Sequence, residues 1–164
     1  MTEPEPCLDT ETGPPLHEDR LDYTPTQRSV PLARRRAARL VTEWGQPGVA
    51  GDVALVVSEL MTNALLHGSL RGRLIRVRVS LGQRVLRVEV TDPRGERLPS
   101  PRAAGDAAEQ FGRGLVLVGA LAARWGWEPR TVGKTVYAEW DVPARQAVLP
   151  YAGHADPRRP GGAP

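Results

Sequence analysis

Glu59 and Asn63 stand four residues apart in the run Glu59-Leu60-Met61-Thr62-Asn63-Ala64, and Asn63 is the only asparagine in the chain. Both lie inside the apolar stretch from Val53 to Leu66. On a helix, residues at this spacing share a face, so a carboxylate and a carboxamide are presented together beside a hydrophobic stripe. Such a pair can hold a hydrated divalent cation and a polarised nucleophile over a phosphate. Three other motifs follow in order: Asp92 after an apolar alternation, Gly112-Arg113-Gly114-Leu115 before an apolar run, and Gly133-Lys134-Thr135 before a final alternation.

The elements that must position these residues are legible from period and punctuation. Arg28-Ser29-Val30 reads as a short edge strand. Pro31 suits the first turn of a helix running to about Trp44, with Leu32, Ala33, Ala37, Leu40, Val41 and Trp44 as its apolar side, ended by Gly45. Asp52 reads as the N-cap of a second helix over Val53–His67, whose Val53, Val56, Val57, Leu60, Met61 and Ala64 follow the helical period. His67 suits the C-terminal end of that helix, where positive charge is favoured. Leu74–Leu81 and Val85–Thr91 alternate with period two and predict a hairpin with one apolar and one Arg-rich face. A helix over Leu115–Ala123, an extended segment from Trp125 and a last strand over Thr135–Val142 complete the order. The sum predicts an α+β fold, a two-layer sandwich with a mostly antiparallel sheet and helices on one face.

The chain has 164 residues and a net charge of +3, carried almost wholly by arginine, with Lys134 the only lysine. The cluster Arg34-Arg35-Arg36 with Arg39 reads as a solvated helix face, since no aromatic residues interleave with it for stacking on nucleic acid. Residues 1–25 and 143–164 are rich in Pro and lack apolar periodicity, so both are expected to be unpacked tails around one domain over 26–142. Cys7 is the only cysteine, which excludes an intrachain disulfide framework, and His17, His67 and His154 are too scattered for a metal cluster. No signal peptide and no bilayer-spanning run are expected, which points to the cytoplasm and away from the membrane. Trp44, Trp125, Trp127 and Trp140 are expected in the core or at a partner surface.

The order of these motifs resembles the histidine-kinase-like (GHKL) ATPase superfamily over most of residues 26–142, and within it the stand-alone anti-sigma-factor serine/threonine kinases. The resemblance implies the Bergerat-type ATP-binding fold and ATP with Mg²⁺ as ligands. It makes Asn63 the metal ligand and Glu59 the general base. Asp92 would accept a hydrogen bond from the adenine amino group. Gly112, Arg113, Gly114 and Leu115 would form a phosphate cradle at a helix start, where free amides favour anions. Residues 96–111 would be the lid, and Thr135 would place a hydroxyl near the adenine. Gly95 follows Asp92 by three residues where the family's box has a glycine after two, so Asp92-Pro93-Arg94-Gly95 departs from that box. Taken singly, each motif also has a plain reading: a solvated helix side chain for Glu59 or Asn63, a strand-ending Asp before Pro93, a helix-start turn at Gly112, a strand hydroxyl at Thr135.

The resemblance implies a Mg-ATP-binding regulator that phosphorylates a serine on a small antagonist protein and sequesters a sigma factor, with a homodimer as its assembly. The alternative is a nucleotide-dependent interaction module without kinase activity, a reading the altered box supports. Direct nucleic-acid binding is not expected.

Overall fold

Alternation decides the centre of the sheet. Ile75, Val77, Val79 and Leu81 form one buried row, and Leu86, Val88 and Val90 form the next, while Arg76, Arg78 and Arg87 point the other way. The computed structural model describes residues 13–68, 72–93 and 106–144, without the side chains of 67–68 and 106–112. Its elements are β1 (His17–Tyr23), α1 (Ser29–Glu43), α2 (Ala50–Asn63), β2 (Ile75–Leu81), β3 (Val85–Asp92), α3 (Asp106–Leu121), β4 (Arg124–Pro129) and β5 (Lys134–Asp141). The five strands are ordered β1-β2-β3-β5-β4 and every neighbouring pair is antiparallel. The helices form the second layer, with α2 between α1 and α3. The expected two-layer α+β sandwich is what the chain adopts.

The core lies between the layers. Val53, Val56, Val57, Leu60, Met61 and Ala64 of the second helical segment are buried, as their period requires. From α1 come Ala33, Ala37 and Val41, whereas Leu32 remains 52% exposed. By length and composition Pro47–Leu66 reaches what a bilayer-spanning helix needs, contrary to the expectation from sequence. Its Val53, Val56, Val57 and Leu60 are buried in the same core cluster as the sheet's apolar row.

Several boundaries differ from expectation. Residues 17–23, expected within an unpacked tail over 1–25, form the edge strand β1, paired with β2 from His17↔Leu81 to Tyr23↔Ile75. The segment HEDRLDY carries little apolar signal because charge holds much of it. Asp22 accepts two hydrogen bonds from Arg76, directly opposite, at 2.7 and 2.9 Å. Asp19 accepts two from Arg36 of α1 at 2.8 and 2.6 Å, so the arginine cluster is not wholly a solvated face. The His17 ring stacks on Trp44 with centroids 5.4 Å apart, and Tyr23 is buried.

Ser29 and Val30, expected in a strand, open α1 instead. The Ser29 hydroxyl donates to the Thr24 carbonyl at 2.6 Å and lies 3.1 Å from the Thr26 hydroxyl, so the turn before the helix holds it in place. Asp52 sits in the first turn of α2 rather than at its N-cap, because a 3₁₀ turn at Pro47–Val49 runs directly into the helix. The regular α-helix stops at Asn63, where a wider π turn over Ala64–Gly68 begins. The side chain of His67 lies outside the described residues, as do residues 145–164 of the expected C-terminal tail.

Candidate functional site

The last residue of regular α2 and the last residue of β3 meet at one cavity. Asn63 and Asp92 line it together with Leu60, Ala64, Val90, Leu115, Lys134 and Val136. Its free space is about 10 Å³, room for roughly one water molecule. Two helices and two strands thus converge on it and bring together residues from four parts of the chain.

The sheet register explains the floor of the cavity. Val90 and Asp92 of β3 stand opposite Val136 and Lys134 of β5, and all four side chains face the helices. Asp92 is 3% exposed and Lys134 equally so. The Lys134 ammonium lies 3.1 Å from Asp92 Oδ2 and 3.4 Å from Oδ1. A buried carboxylate and ammonium are tolerated only when each partners the other or another polar group.

Glu59 is half-buried one turn before Asn63 on the same helix face. Gly114 of α3 packs over both: a Cβ at 114 would lie 2.7 Å from Glu59 Oε2 and 3.7 Å from the Asn63 carboxamide. Leu115, next in α3, is 1% exposed and closes the cavity.

Two expectations are corrected here. Gly112, Arg113 and Gly114 do not start a helix: α3 begins at Asp106, so the glycines sit in its interior. Amides there are committed to carbonyls four residues back, so the glycines do not present the free amides of a helix N-terminus. Arg113 is exposed. Thr135 does not face the cavity. Strand alternation turns it to the other side of the sheet, where its hydroxyl lies 2.7 Å from that of Thr91 and accepts from Arg130 Nε at 2.9 Å. Its neighbour Lys134 faces the cavity instead. A count of period two from buried Trp140 through Ala138 and Val136 reaches Lys134 and could have shown this. Gly95 and residues 96–105 of the expected lid lie outside the described residues.

The face of the sheet away from the helices is a lattice of charge. Buried Glu89 is flanked by Arg78, Arg87 and Arg130. Arg87 also reaches Glu128 and Glu139 and lies 3.9 Å over the Tyr137 ring. Trp140 Nε1 donates to the Leu121 carbonyl at 2.8 Å and fastens β5 to the end of α3.

The family model of the histidine kinase-like ATPase domain matches residues 23–140. The chain belongs to that family, as the motif order suggested. Among solved structures it is similar to the RsbU and RsbW domains of Rv1364c from Mycobacterium tuberculosis, with 19% identity and a TM-score of 0.59. The likeness covers 80% of this chain and about a third (34%) of the solved chain, and at this identity the likeness concerns the fold. No curated protein matches the chain.

Proposed function

We propose that this chain is a Mg-ATP-dependent regulator of another protein, and that it acts as a serine/threonine kinase of the anti-sigma-factor type. The observation that carries the reading is the convergence of Asn63 and Asp92 on one cavity, within a histidine kinase-like ATPase domain. Asp92 is the buried acceptor for the base, and Asn63 offers a hard oxygen for the metal. Among the described residues no three His, Cys, Asp or Glu side chains gather to hold a cation. This donor set suits Mg²⁺, which commonly takes few protein ligands and draws the rest from phosphate and water. When bound, Mg²⁺ would neutralise phosphate charge during transfer.

In this reading Glu59 takes the proton of a serine hydroxyl. As the serine oxygen bonds to the γ-phosphorus, the bond from that phosphorus to the β,γ-bridging oxygen breaks and ADP leaves. Leu115 and the helical turn through Gly114 cover this side, so nucleotide entry requires α3 to move away from α2. The partners are a small antagonist protein as substrate and a sigma factor as the sequestered protein, with the cytoplasm as the place of action and a homodimer as the assembly.

Calorimetry of Mg-ATP binding to the wild type and to Asn63→Ala tests the site. Metal-dependent binding that disappears in the variant is expected; equal binding by both proteins would remove Asn63 from the metal site. Labelled ATP with captured partner proteins then tests turnover. The closed cavity and the Lys134 ammonium on Asp92 favour a second reading, ATP-dependent docking without phosphotransfer. Labelling of a partner that Glu59→Ala abolishes supports the kinase, whereas ATP-dependent co-purification without label supports docking alone.

A further inference from the structure

The only lysine of the chain is buried in the candidate base pocket. Lysine is almost never fully buried unless paired, and its charge here is matched by Asp92 directly across the β3–β5 ladder. Apart from Asn63 the walls around the pair are apolar: Leu60, Ala64, Val90, Leu115 and Val136. A cationic donor and an anionic acceptor therefore stand side by side on the floor of an apolar slot.

We propose that Lys134 is a base-reading residue that works with Asp92. The inference rests on the ATP-binding reading above. The edge of adenine that carries the 6-amino group presents that donor beside the ring-nitrogen acceptor N1. Asp92 accepts from the amino group and Lys134 donates to N1. An ammonium carries three donors on a flexible stem, so it can keep its contact with Asp92 while it reaches the ring. Once α3 has moved aside to admit the nucleotide, the apolar side chains that remain lie against the faces of the base. Charge-assisted hydrogen bonds in such a slot are strong, and a base that cannot complete them leaves a desolvated charge unsatisfied. Selection for adenine then rests on two contacts from adjacent strands, and Thr135 on the other face has no part in it.

The test compares binding of Mg-ATP, Mg-1-deaza-ATP (C–H in place of N1) and purine riboside triphosphate (no 6-amino group) by calorimetry on the intact chain. For the wild type, 1-deaza-ATP is expected to bind at least about tenfold more weakly than ATP, the loss of one hydrogen bond to a charged group. In Lys134→Met, checked for folding by its thermal transition, the gap between ATP and 1-deaza-ATP is expected to close to within about twofold, while purine riboside triphosphate stays disfavoured through Asp92. If that variant does not fold, the wild-type comparison decides alone. Equal wild-type affinity for ATP and 1-deaza-ATP overturns the role of Lys134 and leaves the nucleotide site standing. Tighter ATP binding by Lys134→Met also overturns it, because the lysine would then be an obstruction. Failure of the folded wild type to bind any of the three nucleotides overturns the nucleotide reading itself, and this inference with it.

Discussion

Gly114 of α3 approaches α2 so closely that a Cβ at this position would lie 2.7 Å from Glu59 Oε2. The contact is with the far end of a flexible side chain, and Gly114 has no positive φ that would resist a larger residue. Gly114→Ala should therefore fold. Alanine favours a helix interior over glycine by about 1 kcal/mol, which offsets the adjustment of Glu59. Activity should respond differently, because a displaced base loses its alignment, and a misplacement of about 1 Å can cost on the order of 100-fold in rate. The expected outcome is a thermal midpoint close to wild type with strongly reduced phosphotransfer. A variant as active as wild type would show that Glu59 need not hold this position.

Gly133 presents the opposite case. Its φ is +87°, and an added Cβ would collide with the backbone carbonyl of Asp92 and approach Pro93 Cα within 2.8 Å. Neither backbone atom can swing away as a side chain does. Gly133→Ala should lose about 2–4 kcal/mol, from left-handed strain and overpacking together. Chemical denaturation should show a lower midpoint at unchanged slope. ATP affinity should fall as well, since the shift displaces Asp92. Wild-type stability in this variant would mean that the β4–β5 turn does not press on the end of β3.

Acid should loosen the outer edges of the sheet. The hydrogen bond from Arg78 holds the Glu18 carboxyl below its ordinary 4.5, and Arg76 does the same to Asp22 from its ordinary 3.8. Arg124 lowers Asp141 likewise. Carboxylates depressed in the folded state contribute stability that is present above their unfolded values and is lost as pH falls through the folded ones. The midpoint of thermal unfolding should fall on acidification below about pH 4.5. The decline should be shallower in Glu18→Gln/Asp22→Asn, and high salt should weaken the same contribution because these pairs are partly exposed. An identical acid profile in the double variant would show that these pairs do not couple β1 to the rest of the sheet.

Most of the fold was legible because most of it is periodic. The valines of α2 and the alternation of β2, β3 and β5 can be buried in only one way each, and Asn63 at the end of the α2 stripe and Asp92 at the end of β3 come to one cavity as a consequence. β1 was illegible because its place depends on partners remote in sequence: the acids of HEDRLDY find Arg76, Arg78 and Arg36, none of them local.

The sequence by itself determined the order of elements after β1, most of the faces they bury and the family of the domain, because local period and composition carry that information. Strand period turns Lys134 to the core side, and only the tertiary structure decided that β5 pairs with β3 so that Lys134 meets Asp92. Antiparallel register pairs Lys134 with Asp92 and turns Thr135 to the outer face, since a shift of one residue along a strand reverses every side chain. It also decided that Gly112 and Gly114 lie within α3, with Gly114 packed against Glu59, rather than at the helix start. A glycine pair is compatible with a turn or with close helix packing, and the neighbour that α2 supplies selects between them.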